Sequence, residues 1–442
     1  MVFGTDGIRG IVDEGLTPKL AYNIGKAFGF VLNKAKKSKK VIIGTDTRIS
    51  KDVYATAISC GLMDNGIDVI YVGIVSTPMI SFLVSKYDCI GGIMITASHN
   101  DYRYNGIKLF DGYGRKLSKK QENYIESLLL DENKIKNISV LKGRLIVDND
   151  LKENYINYLL SSFNMDLHNI TIVLDCANGS NYNIAPSVYN KLGANVIKIS
   201  STDNGNMIND NCGANCIDNI KSQVSEHNAD FGFAFDGDGD RLCVVYKNGF
   251  VLCGDDLLLL FAKYLKKNNK LNKLSLVGTI MTNLGLEKKL LKTGIILYRT
   301  DVGDKNVINL IEKHKLSLGG EPSGHICLPE FNPTCDALIN SLFFLKCVLS
   351  NPNMVDEILE DYKYPSLIIN KKVDLKFRES FDSNIEVLNS IKKLSRLHKD
   401  AKIIVRPSGT ESVIRIYVES KSQEVNNIIS DKILKLLKKI DI

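Results

Sequence analysis

Hydrophobic and polar positions alternate in blocks along the first third of the chain, and the blocks predict alternating helices and strands. Residues 18–37 have the spacing of a helix, and the apolar run of 40–46 predicts a strand after it. A second helix extends to about Asn65, and the next strand is the run DVIYVG. Alternation of this kind is typical of a mostly parallel sheet that is covered by helices.

Two further units of the same kind follow along the chain. A polar stretch near residue 150 passes into a helix, which predicts a domain boundary there. A second unit opens at 170–180 and reaches 229–245, and a third begins near residue 251 and includes 274–283. Three strand-like runs, IIGTDTR, IVLDCANG and GFAFDGDGD, end in polar residues, which indicates three copies of one α/β architecture.

The C-terminal segment lacks this alternation. Strands are predicted near VDLKF, AKIIVRPS and VIRIYVES, and helices over 384–397 and 423–439. This pattern is typical of a smaller α+β domain. The sequence therefore predicts three α/β domains and one α+β domain, with the boundaries 1–150, 151–250, 251–368 and 369–442.

The composition is that of a globular protein with a mild positive charge. The chain has 442 residues, too many for one ordinary hydrophobic core, and 44% are hydrophobic and 24% charged. The net charge of +7 comes partly from lysine-rich stretches at 33–40 and 432–440. A solvated surface is the simple explanation, and a positive field also suits an anionic small substrate. The sequence has no stripe of arginine and aromatic residues that would indicate a nucleic-acid partner.

The sequence predicts neither a leader peptide nor a membrane span. Asp6 and Arg9 stand where a signal peptide would be apolar, and no run approaches the roughly 18 apolar residues of a bilayer span. The ten cysteines include no CxxC pair, and Cys212 and Cys216 have no second pair nearby, which argues against zinc. We expect a reduced, cytoplasmic protein without a membrane partner.

Three aspartates that alternate with glycine give the strongest chemical signal. In FAFDGDGDRLCVV, Asp236, Asp238 and Asp240 would face one side of an extended segment. Three converging carboxylates repel one another unless a cation lies among them, and oxygen ligands without Cys or His favour Mg²⁺. An EF-hand is excluded, because its sixth position would be Arg241 rather than glycine. A solvated acidic turn is the alternative, and the apolar flanks argue against it.

A serine and a lysine follow another apolar strand. Ser98 ends the strand in the run GGIMITASHNDYRYNGIKLF, and Lys108 stands ten residues later. The GxSxG turn of acyl-transfer serines is absent, and His99 would point away from Ser98 in an extended segment. A capping or structural role is the ordinary explanation for such a serine. The aspartate motif favours phosphoryl transfer instead, since positioning and charge neutralisation carry most of that catalysis.

One loop near the C-terminus has the composition of a phosphate cradle. In VRPSGTESVIR, Arg406 offers a planar fork that matches phosphate oxygens. Ser408 and Thr410 add hydroxyls, and Gly409 lets backbone N–H groups approach an anion. The alternative is an ordinary turn, because Pro-Ser-Gly is also a common turn sequence.

Two other loops carry groups that suit a sugar phosphate. In LGGEPSGHICL, Glu321 and Ser323 can bind sugar hydroxyls, and His325 can move a proton. In FGTDGIRG, Arg9 can meet a phosphate. Taken alone, each stretch fits a structural turn or a structural N-terminal anchor equally well.

Taken together, these motifs resemble a known family. In chain order they are TASHN, DGDGDR, GEPSGH and RPSGTE, and on these residues the chain is identified as a member of the α-D-phosphohexomutase superfamily over essentially its whole length. Within that superfamily, the FGTDGIRG opening and the YNGIK segment resemble the branch that acts on glucosamine phosphates. The resemblance implies interconversion of glucosamine 6-phosphate and glucosamine 1-phosphate, which supplies UDP-N-acetylglucosamine synthesis.

The resemblance also implies a fold and a mechanism. Three similar α/β domains with mixed sheets, and a smaller C-terminal α+β domain like the TATA-box-binding protein, would surround a central cleft in a monomer or homodimer. Ser98 would carry a phosphoryl group and pass it to the sugar, giving glucosamine 1,6-bisphosphate, and glucose 1,6-bisphosphate could prime the enzyme. Mg²⁺ would be held by a phosphoserine oxygen at Ser98 and by Asp236, Asp238 and Asp240.

The remaining site residues follow from the same resemblance. The groups expected near the transferring phosphate are Arg9, Lys108, Arg241 and His325. Sugar hydroxyls would be bound by Glu321 and Ser323. The phosphate that is not transferred would be held by Arg406, Ser408, Gly409 and Thr410.

Some residues depart from the usual pattern and keep the sugar preference open. TASHN is more usual in the hexose phosphomutases, and Lys305 stands where arginine is frequent. The alternatives are therefore a phosphoglucomutase/phosphomannomutase activity on the same fold, a non-catalytic sugar-phosphate sensor, and a phosphatase. The complete set of Ser98, the three aspartates and Arg406 argues against the sensor.

Overall fold

The computed structural model describes most of the chain, in two compact units. The described residues are 3–4, 6–33, 38–131, 134–135, 141–247, 249–359, 362–408 and 412–440. One unit comprises Met1–Met281 and Leu297–Ile358, and the other comprises Thr282–Ile296 and Leu359–Ile442. Gly409 and Thr410 of the expected phosphate loop lie outside the described residues.

The first part of the chain forms a mixed six-stranded sheet in the order β1-β5-β4-β2-β3-β6. Its strands are β1 (Ile8–Ile11), β2 (Lys40–Thr45), β3 (Asp68–Ile74), β4 (Gly91–Ile95), β5 (Tyr104–Asp111) and β6 (Leu145–Val147). The accompanying helices are α1 (Pro18–Leu32), α2 (Lys51–Met63), α3 (Thr77–Lys86) and α4 (Lys119–Leu130). Strands β2, β3, β4 and β6 are parallel, and at one edge β5 pairs antiparallel with β4 and β1 pairs antiparallel with β5.

The elements of this sheet arise where the hydrophobic pattern predicts them. Thr17 caps α1 by accepting a hydrogen bond from Leu20 N, and Pro18 occupies the first turn, where its missing N–H costs nothing. Every residue of β4 is buried, as expected for a central strand with helices on both faces. The strands predicted at 40–46 and at DVIYVG are confirmed, and the helix predicted over 18–37 ends at Leu32.

The second sheet has five strands in the order β11-β10-β9-β7-β8. These strands are β7 (Thr171–Asp175), β8 (Asn195–Ile199), β9 (Phe231–Phe235), β10 (Leu242–Tyr246) and β11 (Val251–Leu252). The helices before and between them are α5 (Leu151–Ser162), α6 (Ile184–Lys191) and α7 (Asp218–Glu226). Strand β9 is parallel to β7 and antiparallel to β10, so the aspartate motif forms the connection of a β-hairpin.

The third sheet has four strands in the order β13-β12-β14-β15. These are β12 (Ser275–Thr279), β13 (Ile296–Thr300), β14 (Gly319–Gly320) and β15 (Ile326–Cys327). Helices in this stretch of chain are α8 (Gly254–Lys267), α9 (Leu284–Lys292), α10 (Asp304–His314), α11 (Ala337–Ser350) and α12 (Asp356–Leu359). The GEPSGH motif connects β14 to β15, and the two short strands pair antiparallel at its base.

The C-terminal part is a small α+β domain, as predicted. Its antiparallel sheet consists of β16 (Ser366–Lys372), β17 (Lys402–Pro407) and β18 (Val413–Glu419), in the order β16-β18-β17. Its helices are α13 (Leu375–Ser380), α14 (Ile385–Leu397) and α15 (Gln423–Ile440). Alternate residues of the central strand, Ile414, Ile416 and Val418, are fully buried in its core. The three α/β sheets and this smaller domain confirm the predicted fold class.

The prediction of a strand near VDLKF is wrong, because helix α13 begins there. The backbone N–H of Phe377 donates to Asp374 at 2.6 Å, so Asp374 caps helix α13 and the segment after it is helical. The strand lies just before, at Ser366–Lys372, and pairs with β18 through seven residues. The short alternating run is compatible with a strand or with a helix. The helix forms because Asp374 caps its first turn.

The expectation of a reduced protein is wrong for one pair of cysteines. Cys327 and Cys335 form a disulfide, with Cα atoms 4.2 Å apart, because the chain turns back after β15. The other eight cysteines form no disulfide. In the part of the chain that the structure describes, no helix combines the length and the apolar character needed to cross a bilayer.

Candidate active site

Four of the sequence motifs meet around one cavity within the first unit. The cavity has a volume of about 560 Å³. Residues from the N-terminal loop, the loop after β4, the β9–β10 connection and the β14–β15 connection line it. They include Asp6, Arg9, His99, Arg241, Glu321, Ser323 and His325. Residues more than 300 positions apart in the sequence therefore face the same space.

The three aspartates of the β9–β10 connection are buried and converge. Oxygen atoms of Asp236, Asp238 and Asp240 lie within 4.8 Å of one another. The predicted convergence is therefore confirmed, but the segment is a tight turn rather than an extended strand. Asp236 Oδ1 accepts hydrogen bonds from the backbone N–H groups of Asp240 and Arg241, both at 3.1 Å, and Gly239 has a φ of +76°.

The electrostatics of this turn fit a cation. Burial, together with the charges of Asp240 and Asp238, raises the pKa of Asp236 to about 7. Asp238 Oδ1 is buried and accepts no hydrogen bond from any residue that the structure describes. A buried carboxylate oxygen without a donor is costly, and a metal ion among the three carboxylates would satisfy it. An all-oxygen set of this kind suits Mg²⁺ better than zinc.

Ser98 faces this aspartate cluster. It lies in the loop after β4, it is 1% exposed, and its Oγ donates a hydrogen bond to Asp236 Oδ2 at 3.0 Å. Its φ of +53° is in the left-handed region, which is unfavourable for serine and is found mainly at turns and functional sites. The loop is therefore not the extended segment that the sequence suggested. It directs the hydroxyl at the group expected to bind metal.

Lys108 lies on β5 among carboxylates. Its Nζ is 2.7 Å from Asp238 Oδ2, 2.7 Å from Asp6 Oδ2 and 3.2 Å from Asp240 Oδ2. Burial disfavours the charged ammonium, but Asp238, Asp6 and Asp240 outweigh this effect and raise the pKa of Lys108 well above its usual value. Lys108 is thus a permanent positive charge beside the aspartate cluster.

His325 connects the β14–β15 loop to the same cluster. Its Nε2 is 2.9 Å from Asp240 Oδ1, and its Nδ1 is 3.2 Å from Glu321 Oε2 and 3.2 Å from Ser323 Oγ. Burial alone would lower the pKa of His325, but Asp240 and Glu321 raise it to about 10. Arg241 Nε lies 3.8 Å from Asp236 Oδ2, so a second fixed positive charge borders the carboxylates.

Comparison with known proteins decides the family. The models of phosphoglucomutase/phosphomannomutase α/β/α domains I, II and III match residues 1–136, 153–249 and 253–364, and the model of the C-terminal domain matches residues 369–436. The chain belongs to the phosphoglucomutase/phosphomannomutase family. The identification as an α-D-phosphohexomutase is thereby confirmed.

Relatives within this family share much of the sequence. A phosphoglucosamine mutase of Clostridioides difficile is 40% identical, over 95% of this chain and 95% of the relative. One from Dictyoglomus thermophilum is 42% identical, over 99% and 96%. Among solved structures, a phosphoglucomutase/phosphomannomutase family protein from Burkholderia thailandensis superposes with a TM-score of 0.85 at 22% identity, over 99% of this chain and 97% of that one. This last likeness shows the phosphohexomutase fold.

A solved structure of lower sequence identity contains a sugar phosphate and magnesium. It is the N-acetylphosphoglucosamine mutase of Aspergillus fumigatus, in complex with GlcNAc-6P and magnesium. It superposes with a TM-score of 0.69 at 16% identity, over 100% of this chain and 96% of that one. The two chains therefore share the phosphohexomutase fold.

Asp6 is a site residue that the sequence reasoning on this phosphohexomutase did not select. Its Oδ2 is 2.7 Å from Lys108 Nζ and 3.0 Å from Arg9 Nη2, and its Oδ1 contacts Lys116 Nζ. Burial would raise the pKa of Asp6, but Lys108, Lys116 and Arg9 hold it well below its usual value. The signal was present in FGTDGIRG, where the carboxylate stands three residues before the arginine. Its partners at 108 and 116 were not foreseeable from that stretch.

Arg9 and His99 complete the cavity wall of this family member. Arg9 Nη1 donates to Asn100 Oδ1 at 3.2 Å, which ties the N-terminal loop to the serine loop. Burial, together with Arg241 and Arg9, lowers the pKa of His99 to about 4. His99 is therefore neutral at physiological pH and presents an uncharged ring to the cavity.

The expected phosphate loop belongs to the second unit. Arg406 lies on β17 and is exposed, and Ser408 is buried with its backbone N–H donating to Val413 O at 2.9 Å. Gly409 and Thr410 fall outside the described residues. The role of these four residues in binding a phosphate stays a prediction.

Proposed function

We propose that this chain interconverts glucosamine 6-phosphate and glucosamine 1-phosphate through a phosphoserine enzyme, and so supplies UDP-N-acetylglucosamine synthesis. The observation that carries the proposal is Ser98, whose Oγ lies 3.0 Å from Asp236 in a buried three-aspartate cluster. The residues that follow the serine and the cluster in sequence, His99 and Arg241, line the cavity. Relatives that are 36–42% identical over most of the chain and bear the name phosphoglucosamine mutase support this choice of sugar.

Ser98 is the proposed phosphoryl carrier. In the first step, the bond from phosphorus to Ser98 Oγ breaks and a bond from phosphorus to a sugar oxygen forms. The sugar hydroxyl loses its proton, and the net destination of that proton is Ser98 Oγ. The resulting bisphosphate turns over in the cavity, and its other phosphoryl group returns to Ser98 by the reverse chemistry. Glucosamine 1,6-bisphosphate is then the intermediate, and glucose 1,6-bisphosphate can prime the enzyme.

Asp236, Asp238 and Asp240 are the proposed ligands of Mg²⁺, together with an oxygen of the phosphoserine. The donorless Oδ1 of buried Asp238 and the raised pKa of Asp236 support this assignment. Bound there, Mg²⁺ would neutralise charge on the transferring phosphoryl group. Backbone N–H groups fix Asp236, and Lys108 contacts the other two aspartates.

Fixed positive charges surround the space where a phosphoryl group would move. Lys108 keeps its proton, and Arg9 and Arg241 border the cavity, so these groups stabilise negative charge and hold the phosphoryl group in line. His325 is the proposed proton-handling group at the sugar end.

Glu321 and Ser323 are proposed to orient the sugar. Glu321 Oε1 accepts from the backbone N–H of Gly303 at 2.9 Å, and its other oxygen faces His325. Each carboxylate oxygen keeps a second lone pair for a sugar hydroxyl. Arg406, Ser408, Gly409 and Thr410 are proposed to hold the phosphate that is not transferred.

A direct assay tests the proposal. Purified protein is primed with glucose 1,6-bisphosphate and offered glucosamine 1-phosphate, glucose 1-phosphate and mannose 1-phosphate side by side, with Ser98→Ala as the control. We expect kcat/KM to be highest for glucosamine 1-phosphate, and intact mass to show one added phosphate only when Ser98 is present. A higher value for a hexose phosphate would favour phosphoglucomutase/phosphomannomutase activity, and no turnover would favour a sensor. Net release of phosphate would indicate a phosphatase.

Three further properties stay predictions. We propose a cytoplasmic enzyme that works as a monomer or homodimer without nucleic acid or membrane. The absence of a membrane-spanning helix among the described residues is compatible with this proposal. Size measurement in solution tests the oligomeric state.

A further inference from the structure

Two side chains hold backbone carbonyl groups of the serine loop, which is residues 96–103 between β4 and β5. The carbonyl oxygen of Ser98 accepts hydrogen bonds from Arg48 Nη2 at 3.1 Å and from Asn209 Nδ2 at 2.9 Å. The carbonyl oxygen of Asn100 accepts from the same two atoms, at 2.7 Å and 2.9 Å. Two side chains that approach from different sheets therefore hold the same two carbonyl groups, one on each side of His99.

The guanidinium of Arg48 makes further hydrogen bonds around this loop. It is fully buried, its Nε donates to Asp46 Oδ2 at 3.0 Å, and its Nη1 donates to the carbonyl of Tyr104 at 2.7 Å and to that of Asp101. The planar guanidinium can serve several carbonyls at once because its five N–H groups point in fixed directions. Arg48 thus spans the loop from Ser98 to the first residue of β5.

Asp46 extends the same network to the backbone N–H of the serine. Thr96 Oγ1 donates to Asp46 Oδ2 at 2.6 Å and accepts from the N–H of Ser98 at 2.8 Å. Both backbone polar groups of Ser98 are therefore fixed by side chains. This arrangement holds a φ of +53° that serine would otherwise avoid.

Asn209 lies beside the aspartate loop, which is residues 236–241 between β9 and β10. It precedes α7 in the second sheet's part of the chain, and its own N–H donates to the carbonyl of Ala177 at 2.9 Å. A Cβ at Gly237, between two of the metal-site aspartates, would lie 2.7 Å from Asn209 Nδ2 and 2.7 Å from the carbonyl oxygen of Ser98. The lack of a side chain at 237 therefore makes room for the contact between Asn209 and the serine loop.

We propose that Arg48 and Asn209 are positioning residues for the phosphoryl-transfer step. They form a carbonyl clamp, defined as their four hydrogen bonds to the carbonyls of Ser98 and Asn100. The clamp keeps Ser98 in its left-handed conformation with Oγ directed at Asp236, and through Asn209 it ties the serine loop to the loop after β7. This inference rests on the proposed role of Ser98 as the phosphoryl carrier.

The alternative is that both side chains only stabilise the fold. Removing a contact that only stabilises the fold would have no selective effect on transfer to and from Ser98. Removing a positioning contact would leave the KM for sugar phosphate nearly unchanged and would lower kcat, because the reacting oxygen is misplaced while the substrate still binds.

The test compares two asparagines of one loop. Asn209 and Asn211 have φ values of +58° and +51°, so glycine at either position removes the amide without backbone strain. The amide of Asn211 donates to Asp210 Oδ1 at 3.0 Å rather than to the serine loop, which makes Asn211→Gly the matched control. Arg48→Lys tests the second clamp residue, because a single ammonium cannot reproduce the planar set of hydrogen bonds that the guanidinium makes.

Three measurements are made on the full chain. They are kcat and KM for glucosamine 1-phosphate, the rate at which glucose 1,6-bisphosphate adds a phosphate to Ser98 by intact mass, and hydrogen exchange of the amides at 97–101. For Asn209→Gly we expect kcat and the phosphorylation rate to fall by about tenfold or more, KM to change by less than about threefold, and exchange to accelerate. Asn211→Gly should match wild type in all three.

Each other outcome has a defined meaning. Equal kcat and equal exchange in the two glycine variants would overturn the clamp. Faster exchange with an unchanged phosphorylation rate would show that the amide orders the loop without positioning the serine, which also overturns the proposal. If wild-type protein takes up no phosphate and turns over no sugar phosphate, the proposed function fails. The exchange comparison then still decides whether Asn209 holds the loop.

Discussion

Removing the positive charge of Lys108 should destabilise the protein and make it depend on a divalent cation. The substitution Lys108→Met keeps an unbranched side chain as far as the ε position and leaves Asp6, Asp238 and Asp240 without their shared ammonium. At an effective dielectric constant of about 20, each 2.7 Å contact corresponds to an attraction of about 6 kcal/mol. The cost of burying these charges offsets most of that attraction.

The net loss is therefore far smaller than the attraction. Removing one partner of a buried ion pair typically costs about 3–5 kcal/mol, and we expect a loss of that size for Lys108→Met in the presence of EDTA. Because Asp238 then loses its ammonium partner and Asp240 keeps only His325 among the described residues, Mg²⁺ should bind the folded variant more tightly. Binding to the folded state alone raises stability with ligand concentration, so Mg²⁺ should stabilise the variant more than it stabilises wild type.

Urea unfolding with EDTA and with Mg²⁺ measures both effects. Lys116→Met is the matched control, because Lys116 contacts Asp6 and Asp304 rather than the three metal-site aspartates. The control should lose stability and respond to Mg²⁺ as wild type does. An Mg²⁺ response of Lys108→Met no larger than that of the control would refute the assignment of the cation to Asp238 and Asp240.

Three further predictions follow from the site and its proposed chemistry. Ser98→Ala should fold normally and keep less than about a tenth of wild-type mutase turnover, since a covalent relay needs the hydroxyl; higher retained activity in the coupled assay would exclude the relay. Asp238→Asn should bind Mg²⁺ more weakly by calorimetry and lose most activity, whereas full activity of EDTA-treated wild type would contradict a metal requirement. Arg406→Ala should raise KM by more than tenfold with a smaller effect on kcat, from loss of a charge-assisted bond worth about 1.5–3 kcal/mol. An unchanged KM without release of bisphosphate would mean that the phosphate is held elsewhere.

The sequence predicted well those features that depend on nearby residues. The metal-site aspartates stand within five positions, so their residue types and spacing were enough to predict convergence. The assumed geometry was wrong, because alternation in an extended segment and a tight turn around Gly239 place the carboxylates together equally well. The strand near VDLKF failed for a related reason: a run this short does not separate a period of 2 from one of 3.6, and Asp374 starts a helix there.

The features that were missed depend on residues far apart in the chain. Asp6 meets Lys116 across 110 positions, and Asn209 meets Ser98 across 111. Arg48 stands in a run that the pattern marked only as the polar end of a strand. No local signal shows that its guanidinium reaches the serine loop, since that depends on the strand order of the first sheet. Contacts of this kind become visible only when the fold is known.

Gly237 has no functional group, yet its replacement should be as damaging as the loss of a reacting one. Any larger residue would push a β-carbon into the carbonyl oxygen of Ser98 and the amide of Asn209, both 2.7 Å away, and would separate the proposed phosphoryl carrier from the proposed metal ligands. At Gly15, by contrast, the nearest atom to an added β-carbon is 3.5 Å away. Among natural variants of this gene, a glycine-to-alanine change at codon 237 would therefore count as harmful although it alters no chemistry, and the same change at codon 15 as neutral.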